Sequence, residues 1–279
     1  MPSWAYCCGM EHPFFLPVPR VIAHRGDSAC FPENTLTAFT SARDIGVDCI
    51  ETDVHLTADS EVVIWHDDLV DRNTNGTGRV EELTLERLKS LDAGFRFSPD
   101  GGKSFPFRET GVRIITLDEA LESLPGMKFN VDMKTKGRQI VEACAACVRR
   151  HEAQDRLLWA SFHHANLKYF RSLVPEAATS FSKPEAFEIV MSAHVHLPVS
   201  RFTRIAQALQ VPIQYGIIQV ISPKLLEHYQ KSGIIVQVWT INDRPTMEEL
   251  LDMGVDGIFT DNPRQLLEIL HDRSTGGKM

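Results

Sequence analysis

The chain has 279 residues, of which 43% are hydrophobic and 24% charged, and its formal net charge is −8 at pH 7. This composition is typical of a globular protein that is long enough for one large α/β domain with a sizeable core. The negative charge argues against a protein that binds nucleic acid regardless of sequence, because such a protein needs a basic face. No run of about 18 apolar residues occurs, so no membrane span is expected.

The start of the chain and its cysteines bear on where the protein works. The first twenty residues, MPSWAYCCGMEHPFFLPVPR, have neither a basic start nor an uninterrupted apolar stretch, which argues against a secretory signal. We expect residues 1–19 to form a poorly ordered extension. The six cysteines lack the pattern of a disulfide framework, which favours a reduced, cytoplasmic protein. Cys144 and Cys147 have zinc-knuckle spacing without a second pair, and RQIVEACAACVRR predicts one helix.

Short apolar runs alternate with segments of helical periodicity along the rest of the chain. The run RVIAH precedes a helical segment closed by Gly46, and VDCIETDV and EVVIWHD follow. A helix is predicted to begin at Thr116 or Leu117, before the strand KFNVDMK. The later predicted strands are RLLWASF, EAATSF, IQYGIIQV, IIVQVWTI and VDGIFT, each followed by a helical pattern.

About eight strand–helix units of this length favour a TIM barrel over an open sheet. We assign the barrel to residues 20–273 and a C-terminal tail to residues 274–279. Residues 67–113 are rich in Asp, Asn, Gly and Pro, which predicts a small insertion after the second strand region. Residues 183–212, which include the helix expected after EAATSF, are the hardest part of the chain to divide into elements.

Polar side chains gather at the ends of the predicted strands. In a TIM barrel the C-terminal ends of the strands meet at one mouth, where the active site lies. The predicted strand ends carry His24, Arg25, Glu51, Asp53, His66, Asp132, Lys134, Ser161, Trp239 and Asp261.

Three of these carboxylates suit a hard cation. Glu51 and Asp53 are two residues apart on one strand, so their side chains face the same side, and Asp132 reaches the same cavity from a later strand. Oxygen ligands without thiolate favour Mg²⁺, Ca²⁺ or Mn²⁺ over zinc. An isolated Glu-x-Asp pattern is also typical of solvated acids at a strand end, and this alternative stays open at this point.

The two histidines and two cations suit phosphate chemistry. His24 and His66 can give or take a proton near neutral pH. Arg25 can bind phosphate through a fork of donors, and Lys134 can stabilise a developing oxyanion. A single histidine at a strand end is more often a packed residue, but two of them beside carboxylates and cations indicate metal-assisted phosphoryl transfer.

Five stretches carry an ordered set of motifs: AHRGDSACFPENTLTAF, CIETDVHLTADSEVVIWHD, NVDMK, VQVWTIND and GVDGIFTDNP. Through these motifs the chain resembles the glycerophosphodiester phosphodiesterase family from about Val21 to about Leu267. The resemblance implies a TIM barrel with a small insertion. It also implies hydrolysis of glycerophosphodiesters to sn-glycerol 3-phosphate and an alcohol, with a divalent metal ion, Mg²⁺ or Ca²⁺ with Mn²⁺ also possible.

The resemblance also implies roles for individual residues. The family's acid/base pair corresponds to His24 and His66. Its metal ligands correspond to Glu51, Asp53 and Asp132, and its phosphate-binding cations to Arg25 and Lys134. Glu33 in PENT matches a position that orients the first loop and His24, and Asp261 is a supporting residue at the last strand end. Trp239 matches an aromatic residue that packs on the alcohol, although a core tryptophan is an equally good interpretation.

The chain departs from the family pattern at two positions. Asp132 stands where the family commonly has Glu, and the shorter side chain is expected to move the metal, to weaken its binding or to select a different ion. Ser60 replaces a glycine in a turn. In addition, His55 lies two residues after Asp53 and is either an extra polar contact or, as we prefer, an ordinary strand-end residue.

Two rival functions remain open. Lysophospholipase D-type relatives use a similar site on lipids, and the insertion offers Phe95, Phe97, Phe105 and Phe107 as an apolar surface. We prefer to interpret this stretch as a lid that packs on the barrel. The second rival is a non-catalytic barrel, whose signature would be the loss of a histidine or a metal carboxylate, and all of them are present. The expected partner is a small-molecule substrate, and a homo-oligomer is compatible with the sequence.

Overall fold

Eleven strands and nine helices occur in residues 12–18 and 20–276, which the computed structural model describes. The strands are β1 (Val21–His24), β2 (Cys49–Leu56), β3 (Val62–Ile64), β4 (Phe129–Met133), β5 (Leu157–Ala160), β6 (Ala178–Thr179), β7 (Ala208–Val211), β8 (Gln214–Tyr215), β9 (Ile218–Gln219), β10 (Ile235–Val238) and β11 (Gly257–Thr260). The helices are α1 (Leu36–Asp44), α2 (Leu85–Lys89), α3 (Leu117–Ser123), α4 (Arg138–Arg150), α5 (His164–Leu173), α6 (Lys183–His194), α7 (Pro223–Lys231), α8 (Arg244–Met253) and α9 (Pro263–Gly276).

Eight of the described strands form a nearly closed parallel barrel. They follow one another in chain order as β1, β2, β4, β5, β6, β7, β10 and β11, and β11 pairs with β1. A single parallel bridge between Ser180 and Ala208 joins the β6 and β7 sides. The structure therefore confirms the predicted TIM barrel.

Inside the barrel, apolar side chains fill the N-terminal end of the strands, which we call the floor, and polar side chains lie at the C-terminal end, the mouth. In β1, Val21 and Ala23 pack among the helices, whereas Ile22 lies in the inner apolar cluster. The inner cluster contains residues near the starts of the strands, namely Ile22, Cys49, Leu158, Ala178, Ala208 and Ile235, together with Phe259. Successive side chains of a strand face opposite sides, so His24 and Glu51, two residues further on than Ile22 and Cys49, also face inward. The polar site is thus built on the C-terminal end of the same inward rows.

The described part of the N-terminal segment closes the floor. Phe14 and Phe15 are each 1% exposed and belong to the inner cluster. The Lys128 ammonium donates to the carbonyls of Phe14 (2.7 Å) and Pro17 (3.0 Å). The prediction of a poorly ordered extension is therefore wrong for residues 12–18, because two phenylalanines there bury their rings. Residues 1–11 and 19 lie outside the described residues.

The insertion has a small apolar core of its own. β3 runs antiparallel to β2, and a bridge between Val63 and Thr116 marks where the chain returns to the barrel. The insertion core consists of Val63, Trp65, Val70, Val80, Leu88, Leu91, Ala93 and Ile114. The insertion therefore lies where the sequence predicts it, after the second strand region.

The phenylalanines of the insertion do not form an open apolar surface. Phe107 contacts Phe31 and Phe97 at ring-centroid distances of 5.6 and 5.5 Å. The Arg108 guanidinium covers Phe95 and Phe105, at 4.5 and 3.9 Å from their centroids. All four insertion phenylalanines are half-buried.

Two element boundaries differ from the sequence predictions. The stretch IQYGIIQV does not supply a barrel strand. It forms the hairpin β8–β9, and the barrel strand is the preceding ALQV, which is β7. At the C-terminus α9 continues to Gly276, so residues 274–276 belong to a helix, and residues 277–279 lie outside the described residues.

The start of α3 and the helix around Cys144 are as predicted. Thr116 caps α3 in a capping box with Glu119, which fixes Leu117 as the first helical residue. Cys144 and Cys147 are buried on α4.

Candidate active site

A tight turn after β1 presents His24 and Arg25. Arg25 has φ 58° and Gly26 has φ 89°, so the chain reverses through two left-handed residues. The Arg25 amide donates to the Glu51 carbonyl at 2.9 Å and to Glu51 Oε2 at 3.2 Å. A Cβ atom on Gly26 would lie 2.8 Å from the Cβ of Ala38, so only glycine fits against α1.

His24 is held between two carboxylates. Its Nδ1 lies 2.6 Å from Asp261 Oδ1, and its Nε2 lies 3.9 Å from Glu51 Oε2. Burial lowers the pKa of His24, but the charges of Glu51 and Asp261 outweigh it and the pKa is raised. Asp261 is positioned in turn by the side-chain amide of Asn242 (2.6 Å) and the hydroxyl of Ser28 (3.2 Å). Asp261 therefore orients the ring of His24 and favours its protonated form.

The three predicted metal carboxylates lie on adjacent strands. The register of β2 and β4 pairs Asp53 directly with Asp132, and the register of β1 and β2 pairs His24 with Glu51. Asp53 Oδ2 accepts a hydrogen bond of 2.9 Å from the side chain of Asn34, a residue of the PENT motif with φ 56°. The first loop is thereby tied to the carboxylate cluster.

Burial and charge set different pKa values within this cluster. Burial, followed by the charge of Asp53, raises the pKa of Glu51 to about 7. Burial also raises the pKa of Asp132, whose neighbour Lys134 opposes the shift. For Asp53 burial acts upward as well, but Lys134, His66 and Arg25 outweigh it and lower its pKa. The nearby cations therefore keep the pKa of Asp53 low, but they do not offset the effect of burial on Glu51 and Asp132.

The donor set suits a hard divalent cation. Asp132 Oδ1 is buried and has no hydrogen-bond partner among the described residues, and the three side chains offer only oxygen. The Lys134 ammonium lies 2.9 Å from Asp53 Oδ1 and 2.6 Å from Asp132 Oδ2, so positive charge already gathers there. The ligand oxygens of Glu51, Asp53 and Asp132 do not form a compact set within 4.8 Å of one another in the described part of the chain.

A compact set of possible ligand atoms does occur outside the barrel, formed by Asp118, Cys147 and His151. Asp118 Oδ1 already accepts from Arg150 Nη1 and lies 2.5 Å from His151 Nε2. A guanidinium in contact with the carboxylate repels a second cation, and burial raises the pKa of the Cys147 thiol. We interpret this set as a contact between α3 and α4.

A chain of charged groups connects His66 to Arg25. His66 Nδ1 lies 2.6 Å from Asp67 Oδ1, and Arg72 binds Asp67 at 2.5 Å. Arg72 also donates to both oxygens of Glu33, at 2.6 and 3.1 Å, and Arg25 donates to Glu33 at 2.9 Å. Glu33 therefore orients Arg25 rather than His24.

One cavity of about 360 Å³ contains most of the predicted site residues. Its polar part is lined by His24, Arg25, Glu51, Asp53, His66, Asp132, Lys134 and Ser161. Its other wall is apolar, with Phe162, Phe181, Phe187, Val190, Tyr215, Ile218 and Trp239. Charged groups and an apolar lining are thus adjacent in one cavity.

Among the residues with two open interpretations, Trp239 lines the cavity and is half-buried, with its ring 6.5 Å from that of Phe162. His55 is buried and lies 3.1 Å from the His66 carbonyl and 3.3 Å from the Thr135 hydroxyl, which fits an ordinary structural residue. Ser60 has φ 66°, which agrees with a turn position that favours glycine.

The sequence interpretation did not single out Asn34, Asp67, Arg72 or Phe162. Asn34 and Asp67 stand inside the PENT and His-Asp motifs, so the motifs themselves contained the signal. Arg72 lies in the insertion, where composition predicts only loop, and its partners become visible only in three dimensions. Phe162 follows Ser161 at the end of β5, a position that the strand-end rule could have included.

A TIM barrel whose mouth combines oriented histidines, buried carboxylates and an arginine–lysine pair defines a phosphodiester hydrolase. Comparison with known proteins identifies the family. Residues 24–265 match the model of the glycerophosphoryl diester phosphodiesterase family, so the chain belongs to that family and is an enzyme.

Three relatives illustrate the similarity. A glycerophosphodiester phosphodiesterase of Caldanaerobacter subterraneus subsp. tengcongensis is 34% identical over 90% of this chain and 97% of its own length. A lysophospholipase D of Homo sapiens is 24% identical over 91% of this chain and 86% of its own length. The structure of an Oleispira antarctica phosphodiesterase in complex with the product sn-glycerol-3-phosphate is 29% identical, with a TM-score of 0.76, over 92% of this chain and 98% of that chain. The alternative of a non-catalytic barrel is set aside.

In the described part of the chain, no helix combines the length and the apolar character that crossing a bilayer requires.

Proposed function

We propose that the protein hydrolyses glycerophosphodiesters to sn-glycerol 3-phosphate and a free alcohol, with a divalent cation, Mg²⁺, Ca²⁺ or Mn²⁺, at Glu51, Asp53 and Asp132. The observation that supports this most is the gathering of both histidines, both cations and all three carboxylates around one cavity. The product named in the Oleispira antarctica structure supports the choice of substrate.

The two histidines divide the proton transfers. In each ring Nδ1 faces a carboxylate, Asp261 for His24 and Asp67 for His66. Each ring then has Nε2 for proton exchange, because a hydrogen bond at one ring nitrogen fixes the role of the other. One Nε2 accepts the proton of the attacking water, or of the glycerol 2-hydroxyl if a cyclic phosphate forms first and water then opens it. The other Nε2 donates a proton to the leaving alkoxide.

Arg25 and Lys134 neutralise the phosphoryl oxygens. Arg25 lines the cavity, and its guanidinium is oriented by Glu33 at 2.9 Å through Nη1 and by Asp53 at 3.5 Å through Nε. Lys134 is already fully charged in this setting, since Asp132 and Asp53 raise its pKa against the effect of burial. A bound divalent cation would polarise the phosphoryl group, as a Lewis acid does.

A second candidate substrate is a lysophospholipid, cleaved at the same phosphodiester. The apolar wall with Phe162, Phe181, Phe187 and Trp239 favours it, because a small polar alcohol does not need such a lining. The lysophospholipase D name of the human relative agrees with this candidate.

A cytoplasmic location stays a prediction. The free thiols of Cys30, Cys49, Cys144 and Cys147 agree with it, because disulfides are rare in a reducing compartment.

The test is the release of glycerol 3-phosphate from glycerophosphocholine by the purified protein. The protein is treated with EDTA, and Mg²⁺, Ca²⁺ or Mn²⁺ is then restored. We expect no release after EDTA and recovery with at least one ion. His24→Ala and His66→Ala should lower kcat by roughly 10²- to 10⁴-fold, the range that general acid–base catalysis supplies. Full activity in EDTA would contradict the metal role, and near-normal kcat in either variant would contradict that histidine's role.

A further inference from the structure

The apolar wall of the active-site cavity continues onto the surface of the protein. Phe162, Phe187 and Tyr215 line the cavity, yet they are 58%, 54% and 54% exposed. Each of these rings therefore faces the cavity and the solvent at once. Surface side chains of this size are usually scattered singly on a soluble protein, whereas here they border one opening.

Two further exposed residues extend this border. Met191 lies one helical turn after Phe187 on α6, so both face the same side of the helix, and it is 39% exposed. Ile217 lies in the two-residue turn of the β8–β9 hairpin and is 98% exposed. We name the set of Phe162, Phe187, Met191, Tyr215 and Ile217 the apolar rim.

Ile217 occupies a position at which apolar residues are unusual. Gly216 supplies the positive φ of 59° that a two-residue hairpin turn requires, and polar residues such as Asn, Asp or Ser normally accompany it. The hairpin is fixed against α6, because the Lys183 ammonium lies 5.3 Å from the ring of Tyr215 and His194 Nε2 lies 2.8 Å from the Gln219 carbonyl. The isoleucine is thus held outward on a supported hairpin.

We propose that the apolar rim docks on a lipid surface, so that the cavity opens toward molecules that carry a hydrocarbon chain. Two observations favour lipid as the occupant. The rim is continuous with an apolar cavity wall, which matches a ligand whose chain leaves the lipid and enters the cavity. The exposed ammonium of Lys183 stands at the same opening and complements phosphate head groups. The proposal rests on the proposed function only in that the cavity is taken as the substrate site.

Docking of this kind depends on apolar contact more than on charge. The net charge of −8 opposes an anionic membrane, so zwitterionic lipid is the appropriate probe. Binding should change little with ionic strength, because the burial of an apolar side chain is not screened by salt.

The experiment is co-sedimentation of the full chain with phosphatidylcholine vesicles. We expect the wild-type protein to bind, and Ile217→Ser and Met191→Ser each to weaken partitioning roughly tenfold or more, the ratio that corresponds to burial of one large apolar side chain. The matched control is Ile205→Ser. Ile205 is also an exposed isoleucine, at 42%, but lies three residues before β7 begins, toward the opposite end of the barrel, and its replacement should leave binding unchanged.

Neither Ile217 nor Met191 lines the cavity, so both variants should hydrolyse glycerophosphocholine in the absence of vesicles at the wild-type rate. This readout separates a failure of docking from a failure of the proposed function. The proposal is overturned if the wild-type protein does not sediment with vesicles, or if the rim variants and the control bind equally. A wild-type dimer that Ile217→Ser dissociates would also overturn it, because a second copy would then cover the rim.

Discussion

His24 ends the first strand of the barrel and Asp261 directly follows the last, β11, so their contact of 2.6 Å joins residues at the ends of two paired neighbouring strands. The carboxylate does two things for the imidazole: it fixes the ring orientation, and it helps to raise the pKa of His24. A charged partner at this distance acts more strongly than a neutral one.

Replacing Asp261 by Asn should therefore lower the pKa of His24. The protonated imidazole would lose its proton at a lower pH, so the limb of the kcat/KM profile that reports His24 should move to lower pH. This direction is the same whether His24 acts as the acid or the base. The rate at the optimum should also fall, by up to roughly 10⁴-fold, because an amide can select the wrong tautomer.

Ser28→Ala is the matched control for this prediction. The Ser28 hydroxyl also contacts Asp261 Oδ1, at 3.2 Å, but its removal leaves the charge in place. The control should keep the wild-type pH profile. A profile that is unmoved in Asp261→Asn, or moved equally in Ser28→Ala, would show that the Asp261 charge does not set the titration of His24.

At the scale of elements, the turn between β1 and α1 decides where His24 and Arg25 lie. Gly26→Ala should destabilise the protein for two separate reasons. The φ of 89° strains any residue with a Cβ by about 1–2 kcal/mol, and the new Cβ would also meet Ala38, where overpacking costs about 1–3 kcal/mol. If the variant folds, the displaced turn should reduce turnover of glycerophosphocholine.

Gly46→Ala separates strain from collision. Gly46 has nearly the same φ, 87°, but a Cβ there has nothing within 4 Å. Its variant should lose only the strain term in urea unfolding and keep full activity. Equal losses of stability in the two variants would contradict a role for the contact with Ala38.

The sequence predicts most barrel strands because both faces of each strand are buried, so each strand appears as a short apolar run between helical patterns. It fails at β7 for a physical reason. ALQV is four residues long, whereas IQYGIIQV is longer and richer in β-branched residues, so pattern and propensity both favour the wrong segment. ALQV is the barrel strand because it pairs with β10. This pairing joins residues that are far apart in the chain, so a pattern within one segment does not predict it.

The site shows the same division between local and non-local information. His24, Glu51, Asp53 and His66 stand in motifs that can be recognised from the residues alone. Arg72 cannot be recognised in this way, because its importance lies in joining Glu33 to Asp67 across 39 and 5 residues of chain. Motifs therefore predict the groups that we propose to react, whereas Arg72, which holds two of their neighbours, is found only from the fold.

At the scale of the whole molecule, the two ends of the barrel contribute oppositely to stability. The mouth keeps three carboxylates buried and two histidines, an arginine and a lysine half-buried, at a cost in stability, and the apolar packing at the opposite end of the barrel compensates. Phe14 and Phe15 supply this packing from a segment that precedes the first strand, with ring centroids 5.1 Å apart at 82°.

Phe14→Ala should lower the free energy of unfolding by about 3–5 kcal/mol, the usual effect of removing a buried aromatic ring from a core. The measurement is urea denaturation, with kcat on glycerophosphocholine measured below the transition. Because Phe14 lies at the end of the barrel opposite the site, kcat per folded molecule should not change. Phe187→Ala removes the same ring from a half-exposed position and should cost far less stability. If Phe14→Ala unfolds no more easily than Phe187→Ala, the N-terminal segment is not part of the folded core, and the floor must be closed by the strands alone.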